Sequence, residues 1–322
     1  MRSQMKGLRM MKRRFNVVAA TRAVAAVLSF ASISLGQEDT ARGLRLMTFN
    51  IRYGTATDGD NSWTHRRELV FGVVREQDAD IVGLQEALRF QVDEITEAVP
   101  GYGEIGVGRD DGAARGETCA ILYRTDRFSV ASAGTFWLSD TPRVVASASF
   151  GNSIPRICTW VRLIDKGSGE GVYVLNVHFD HRSDPSRTKS AQLIAEFVRS
   201  LDFGDPVILM GDFNAGETSG ALSVLTSTGI EDERGNDSPG DTIGRLFQDS
   251  FRAVHPNESD AGTFNSWRGE TGGDKIDYIL VPPTCIVREA AILRDNEDGR
   301  YPSDHFPVIA EIVLSDNGAD GR

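Results

Sequence analysis

The chain has 322 residues and a net charge of −11, with 40% hydrophobic and 25% charged residues. This length bounds the protein to one large domain or two small ones, with enough residues for a sizeable core. The acidic balance disfavours proteins that bind long nucleic acids, because such proteins gain affinity by neutralising phosphates with Lys and Arg.

The first 36 residues are predicted to form a secretory signal. Residues 1–16 carry six Lys and Arg and no acid, residues 23–35 are apolar and small, and Ser34-Leu35-Gly36 is a suitable cleavage site. The apolar run is short for a bilayer span, although an uncleaved membrane anchor stays open as an alternative. We therefore expect export to the periplasm or the outside, and no other segment is apolar enough to cross a membrane.

Removal of this leader makes the chain more acidic. The leader holds seven Lys and Arg and no acid, so the remaining chain carries 28 basic and 46 acidic residues, a net charge of −18. A local basic groove would still permit nucleic-acid binding, so that class is disfavoured and not excluded.

Residues 43–314 are predicted to form one α/β domain. Apolar runs predict strands at Leu44–Asn50, Ile81–Gln85, Thr118–Tyr123, Thr159–Leu163, Val172–His178, Val207–Met210, Lys275–Val281 and Phe306–Val313. Helical spacing predicts helices at Trp63–Glu76, Arg89–Val99 and Arg187–Leu201, and polar composition predicts loops at Arg109–Glu117, Asp165–Gly171 and Glu231–Asp241. Strands separated by helices indicate a mixed α/β sandwich. Residues 315–322 are predicted to be a disordered tail.

The three cysteines lie in strand-like runs and match no zinc spacing; they are Cys119, Cys158 and Cys285. We expect free buried thiols. A Cys119–Cys158 bridge is the alternative in an exported protein.

Five short apolar runs end in, or lead into, an acid, an amide or an imidazole. These positions are Asn50, Glu86, His178, the segment Gly211-Asp212-Phe213-Asn214 and the pair Asp304-His305. Carboxylate and amide oxygens suit a hard divalent cation, and imidazole suits proton transfer or charge stabilisation. If the five strand ends meet in space, they form a metal-assisted hydrolytic site; otherwise they are ordinary turns.

Two of these positions have a more specific interpretation. Asp212 and Asn214 lie two residues apart in a predicted extended loop, so both side chains point to the same side. There they could hold an attacking water and a phosphoryl oxygen together.

Asp277 is an acid within an apolar run, and a buried acid needs a partner. His305 is the expected partner, because a carboxylate beside an imidazole fixes its tautomer and favours its protonated form.

His178 and His181 leave zinc as an alternative metal. No third His or Cys stands at ligand spacing in the sequence, so zinc is disfavoured.

Six motifs occur in the order found in the endonuclease/exonuclease/phosphatase superfamily, which the chain resembles from Leu44 to about Val313. The motifs are Leu46–Ile51, Gly83–Glu86, Asn176–His178, Gly211–Asn214, Ile276–Tyr278 and Ser303–His305. Residues 108–112, 134–139 and 155–160 resemble a bacterial exported branch of predicted metal-dependent hydrolases.

The resemblance implies a four-layer α/β sandwich, in which two packed mixed β-sheets are flanked by helices and the site lies at one mouth of the sheets. By similarity, Glu86 is the principal Mg²⁺ ligand, with Asn50 and Asp304 nearby. Mn²⁺ is an alternative cation for these oxygen ligands.

The resemblance also implies catalytic roles on the other strand ends. By similarity, Asp212 orients or deprotonates the attacking water, and Asn214 and His178 stabilise the phosphoryl oxygens. His305, held by Asp277, stabilises the pentacovalent phosphate or assists proton transfer.

Charged and aromatic residues outside the motifs have less specific interpretations. Arg109, Arg115, Arg156 and Arg187 could contact a phosphate or a sugar, but we favour solvated surface positions for all four. Arg66 on the first helix is predicted to be a surface charge. Trp137 is predicted to lie in a loop, where core packing and stacking on a substrate ring are both open.

The sequence thus predicts a divalent-metal-dependent phosphoesterase, acting as a monomer on a small or lipid-linked phosphodiester or phosphomonoester by in-line water attack. Two alternatives stay open: a secreted nuclease of DNA or RNA, and a binding module that kept the fold and lost the activity. The presence of every expected site residue favours an enzyme.

Overall fold

The computed structural model describes residues 43–201, 204–227 and 245–314. The predicted leader, the predicted loop Glu231–Asp241 and the predicted tail lie outside these ranges. Within them, no helix has both the length and the apolar character needed to cross a bilayer.

The described residues form two six-stranded sheets and the helices that flank them. The strands are β1 (Leu44–Asn50), β2 (Ile81–Ala87), β3 (Tyr102–Ile105), β4 (Thr118–Arg124), β5 (Phe128–Trp137), β6 (Ile157–Asp165), β7 (Gly171–His178), β8 (Val207–Asp212), β9 (Gln248–Asp249), β10 (Asp277–Val281), β11 (Ile286–Ile292) and β12 (Val308–Val313). The helices are α1 (Trp63–Gln77), α2 (Arg89–Ala98), α3 (Asp184–Arg199), α4 (Gly220–Thr226) and α5 (Ser250–Val254). A short 3₁₀ turn precedes α1 at Gly59–Asn61.

Each sheet is built around one central parallel pair. Sheet one has the order β11-β12-β1-β2-β4-β3, and sheet two has the order β5-β6-β7-β8-β10-β9. The strands β1 and β2 are parallel, as are β7 and β8, and the other neighbours are antiparallel. Because parallel strands end at the same edge of a sheet, each sheet presents two adjacent carboxyl ends, a common location for ligand sites.

Alternating side chains make the structure four layers deep. In β1, Leu44 and Leu46 belong to the core between the two sheets, whereas Met47 and Phe49 pack in the core beneath α1 and α2. The strands of sheet two alternate in the same way, and their outer face packs on α3 and α4. This arrangement confirms the predicted four-layer α/β sandwich of two mixed sheets flanked by helices.

Some element boundaries differ from the prediction for identifiable reasons. Helix α3 begins at Asp184, three residues before the predicted start, because the Ser183 side chain caps it by accepting a hydrogen bond from the Ser186 N–H. Trp137 lies at the end of β5 and not in a loop. Its side chain is 4% exposed, and its Nε1 donates to the Arg109 carbonyl at 2.8 Å. Trp137 is therefore a packed core residue.

The three cysteines are buried and free, as expected. Burial raises the pKa of each thiol, to about 12 for Cys119 and Cys285.

Candidate active site

The structure brings all eight predicted site residues to one mouth of the two sheets. A cavity of about 610 Å³ opens there. Six of the predicted residues line it, namely Glu86, His178, Asp212, Asn214, Asp304 and His305. Asn50 and Asp277 lie directly behind them and reach the lining through hydrogen bonds.

A β-bulge aims Glu86 into this mouth. The register between β2 and β4 shifts between Leu84 and Ala87, and Glu86 has a left-handed backbone with φ of 56°. Bulges commonly redirect a side chain beside a functional site. A left-handed Glu is strained by about 1–2 kcal/mol, so the surrounding structure holds Glu86 in place against its own preference.

Asn50 connects the two sheets at the mouth. Its Nδ2 donates to Glu86 Oε1 at 3.2 Å and to Asp212 Oδ2 at 2.9 Å, and its Oδ1 accepts the Arg52 N–H at 3.0 Å. Glu86 belongs to sheet one and Asp212 to sheet two. One buried amide thus fixes the distance between the two groups.

A polar bridge lies one layer deeper, between the sheets. Gln85 Nε2 donates to Thr48 Oγ1 at 2.9 Å and to Asn176 Oδ1 at 2.6 Å. The Nδ2 of Asn176 donates in turn to the carbonyls of Leu84 and Ala120. Since Gln85 precedes Glu86 in the chain and Asn176 lies two residues before His178, this bridge supports both sides of the mouth.

The loop after β8 places Asp212 and Asn214. Gly211 is required before it, because a Cβ at this position would lie 2.1 Å from the Val177 carbonyl oxygen. Asp212 Oδ1 accepts the Asn214 N–H at 2.9 Å, and Asn214 Nδ2 donates to the Phe179 carbonyl at 3.1 Å. Asn214 has a left-handed backbone with φ of 48°, a conformation that Asn tolerates well.

Asp277 and His305 form the predicted pair. His305 Nδ1 lies 2.9 Å from Asp277 Oδ2, and His305 Nε2 lies 3.8 Å from Asp212 Oδ2. Burial alone would lower the pKa of His305, but Asp277 and then Asp212 raise it to about 10. His305 is therefore a cation near neutral pH, and its Nε2 side faces the cavity.

The other two titratable groups on sheet two behave differently. Burial, with the nearby Asp277 charge, raises the pKa of Asp212 to about 7, and His305 limits the rise. Burial, followed by the charges of Arg156 and Arg109, lowers the pKa of His178 well below its usual range. Near neutral pH the site thus combines a neutral imidazole, an imidazolium and a carboxyl group whose pKa lies close to the pH.

The carboxylates of Glu86 and Asp304 fit a divalent cation. Burial raises the pKa of Asp304. The nearby His305 charge opposes this rise, and the Glu86 charge adds to it. Arg52 places a guanidinium nitrogen 3.9 Å from each carboxylate, so the space between them already favours positive charge. Buried carboxylate oxygens of this kind suit Mg²⁺ or Mn²⁺.

Two other metal arrangements fit less well. Asp212, Asp277 and His305 place ligand-type atoms within 4.8 Å of one another, but the Nδ1 of His305 is engaged by Asp277, which suits a proton better than a cation. For zinc, both ring nitrogens of His181 contact guanidinium groups, of Arg156 and of Arg182. His181 therefore offers no second imidazole ligand beside His178.

Several charged residues of the site were missed or misplaced at the sequence level. Arg66 is buried and not a surface charge, since it donates to the carbonyls of Ile51, Arg52 and Pro302. Two of those carbonyls directly follow Asn50, and the third lies two residues before Asp304, so Arg66 holds these two segments together.

Of the four arginines predicted to be solvated, only Arg115 is exposed. Arg156 is buried and lines the cavity together with Arg109, and the Arg187 side chain is 12% exposed and donates to the Asp180 carbonyl at 2.7 Å. Glu117, which had no predicted role, pairs with Arg109 on the same wall. Among the charged residues of the site that the sequence analysis missed, only Arg52 carried a signal, because it lies two residues after the predicted strand-end residue Asn50.

Comparisons with known proteins agree with this geometry. A family model described as the Endonuclease/Exonuclease/phosphatase family matches residues 47–305. A solved family member from Bacteroides thetaiotaomicron is 33% identical with a TM-score of 0.74, over 85% of this chain and 98% of that one. A mannosyl-6-phosphatase from the same organism is 34% identical with a TM-score of 0.73, over 84% of this chain and 100% of that one.

A more distant structure shares the fold. The human Nocturnin catalytic domain, with bound sulfate, is 19% identical with a TM-score of 0.64, over 84% of this chain and 93% of that one. The family and these neighbours support a phosphoesterase in general. With more than half of its residues matched by the family model, this chain belongs to the endonuclease/exonuclease/phosphatase family.

Proposed function

We propose that the protein is an exported, divalent-metal-dependent phosphoesterase that acts on a small phosphorylated compound, with a phosphorylated sugar as the first candidate. The observation that carries this proposal is the meeting of two carboxylates, Glu86 and Asp304, with the chain Asp212–His305–Asp277 at one cavity. The cavity volume of about 610 Å³ is typical of a small-molecule site. The similarity to a mannosyl-6-phosphatase supports a sugar phosphate as substrate.

Glu86 and Asp304 would hold the cation, and Asn50 would keep Glu86 in position relative to Asp212. When bound, the cation would polarise a phosphoryl oxygen and orient the phosphate. The two carboxylates would act on the substrate only through the cation that they hold at this side of the mouth.

Asp212 would take the proton from the attacking water. A general base works best when its pKa lies near the operating pH, and the raised pKa of Asp212, about 7, meets that condition. Its second oxygen is fixed by the Asn214 N–H, which leaves the Oδ2 side, between Asn50 and His305, for the proton.

His305, held by Asp277, would donate from Nε2 to a phosphoryl oxygen as negative charge develops there. His178 would present a neutral ring at the same wall, with Nε2 3.5 Å from Asp212 Oδ2. Asn214 lies beside them in the cavity lining. His305 and Asn214 are held by hydrogen bonds to Asp277 and to the Phe179 carbonyl, so these two groups would need little rearrangement during the reaction.

A substrate panel tests the proposal. Purified protein would be assayed with Mg²⁺, Mn²⁺ or EDTA on sugar phosphates, nitrophenyl phosphates, phosphoinositides, sphingomyelin and DNA. We expect turnover of a small phosphoester that EDTA abolishes. Hydrolysis that survives EDTA would contradict the metal mechanism, and faster degradation of plasmid DNA would favour the secreted nuclease. Metal binding without any turnover would favour the inactive binding module.

Export and the monomeric state are part of the same proposal. We expect the protein recovered from its native host to begin after Gly36 and to elute as a monomer in size-exclusion chromatography with light scattering. A retained leader would favour the membrane anchor, and a dimer would overturn the monomer. The proposal also includes membership of an exported bacterial branch of the family.

A further inference from the structure

One wall of the cavity carries two arginines whose surroundings differ. Arg109 donates two hydrogen bonds to Glu117, at 2.8 and 2.7 Å, so its charge is paired. Arg156 is 3% exposed, and no carboxylate among the described residues accepts a hydrogen bond from it. The closest ion pair of Arg156 joins its Nε to Asp180 Oδ2 at 3.7 Å, which is too long for a hydrogen bond.

Two nitrogens of Arg156 are left without a protein partner. Its Nε and Nη1 are buried and have no hydrogen bond to any described residue, and its Nη2 is engaged by His181 Nδ1 at 2.9 Å. An unsatisfied buried donor costs about 1–3 kcal/mol, and more when it is charged. Arg156 also lines the cavity that contains His178 and Asp212, so an anion in that cavity would lie beside an incompletely paired guanidinium.

Asp180 helps to hold the Arg156 side chain in position. Asp180 is buried, and its Oδ1 accepts the N–H groups of Arg182 and Ser183 at 2.9 Å. These bonds tie Asp180 to the start of α3, so its remaining charge holds the guanidinium at the wall without saturating it. A guanidinium that is held in place while some of its hydrogen-bond donors are unused is well suited to bind an anion.

The chemistry of the anion follows from charge. A phosphomonoester carries a charge of about −1.5 to −2 near pH 7 and presents three acceptor oxygens. A phosphodiester carries a single negative charge and loses one of those oxygens to the second ester group. An additional guanidinium beside the phosphoryl site therefore gains more from the monoester.

We propose that Arg156 binds a terminal oxygen of the substrate phosphoryl group and makes the site selective for phosphomonoesters over phosphodiesters; this rests on the proposed function and narrows its substrate class. The sugar or other leaving group would then extend away from the Arg156 wall.

Two substrates with the same leaving group isolate the effect of charge: p-nitrophenyl phosphate and methyl p-nitrophenyl phosphate. For Arg156→Met, we expect kcat/KM to fall about 10- to 100-fold on the monoester, as expected for one charged hydrogen bond. The loss on the diester should stay below about threefold. Arg156→Lys should recover part of the monoester activity, because it keeps the charge and loses the planar donors.

Arg115→Met is the matched control. Arg115 lies in the same loop as Arg109, residues 109–117. Its side chain is 77% exposed, and its one ion pair among the described residues is with Asp111. We expect it to leave both substrates unchanged. Equal losses on monoester and diester in Arg156→Met would overturn the selectivity role and indicate a structural one.

Inhibition by inorganic phosphate keeps the test open if Arg156→Met does not fold. We expect the inhibition constant for phosphate to rise about tenfold in Arg156→Lys, with an unchanged melting temperature. An unchanged inhibition constant would overturn the proposal. If the wild-type protein hydrolyses neither nitrophenyl ester nor any substrate of the panel, the proposed function fails. Calorimetric binding of inorganic phosphate to wild type and Arg156→Lys then decides the role of Arg156 by itself.

Discussion

The two sheets contribute different chemistry to one mouth. Sheet one supplies Asn50 and Glu86, and the segment that enters β12 supplies Asp304, so this half is a set of oxygen atoms. Sheet two supplies His178 and Asp212 at the ends of its central parallel pair, with Asp277 beside them on β10. The proposed function assigns proton transfer to this half. In the proposed function, the cation and the proton transfer are thus assigned mainly to different sheets. His305 is the exception, because it follows Asp304 in the chain and bonds to Asp277 of sheet two.

Two hydrogen bonds join site residues of these halves directly, above the Gln85–Asn176 bridge that also connects the sheets. Asn50 of sheet one donates to Asp212 of sheet two, and His305, which precedes β12 in the chain, bonds to Asp277 of sheet two. If the proposed division of roles holds, a variant on the cation half should change metal binding strongly and turnover chemistry weakly, and a variant on the proton half should do the reverse. The following predictions test that separation.

The largest effect is expected for the proton half. Asp212→Ala should lower kcat at least about a hundredfold, because the general base would be lost, with little change in metal affinity. Steady-state kinetics and calorimetry measure the two quantities. Asp93→Ala, an exposed acid on α2, is the control and should behave as wild type. Near-wild-type turnover in Asp212→Ala would remove this residue from the mechanism.

A somewhat smaller effect is expected for the cation half. Glu86→Gln should weaken Mn²⁺ binding about 10- to 100-fold, because a charged ligand becomes neutral. Asp277→Asn should keep the affinity within about threefold. Titration calorimetry on the three proteins makes the comparison. If both variants lose affinity equally, the two halves are not functionally separate.

The smallest effect is a pH dependence of stability, measured in EDTA. The folded pKa of His305, about 10, lies above its usual value of 6.5. The stabilisation by Asp277 is thus fully present below pH 6.5 and is lost as the pH rises through about 10. Asp277→Asn should lower the free energy of unfolding by about 1.5–3 kcal/mol at pH 6.

At pH 10.5 the same difference between wild type and Asp277→Asn should be less than half as large. Urea unfolding at both pH values measures it, and Asp93→Asn corrects for general charge effects. A difference that does not change with pH would contradict protonation of His305 in the folded state.

The central part of the fold could be predicted because its strands are buried on both faces. β7 and β8 read as continuous apolar runs, and their predicted bounds lie close to the observed ones. The edge strands were missed. β5 and β11 are exposed or half-buried at nearly every position, so they lack the apolar signal that marks a strand.

The site shows a similar contrast between residue types. Acids, amides and imidazoles at strand ends could be predicted, because buried polar groups at such positions need a partner or a role. Arginines could not, because in a sequence a buried guanidinium looks like a surface one. Arg66 and Arg156 have their roles only through carbonyls and cavities that the folded chain creates.

The strand order of sheet one, described above, constrains the order in which this site can form. Ser303, which precedes the Asp304-His305 pair, donates from its Oγ to the Asn50 carbonyl at 2.7 Å, across 253 residues of chain. β12 must also insert between β1 and β11 before sheet one is complete. Contacts so distant in sequence form slowly, so a growing chain would have its central strands long before it had Asp304 and His305. Catalytic turnover would therefore report completed folding, and in a refolding experiment it should appear after the backbone signal of the sheets.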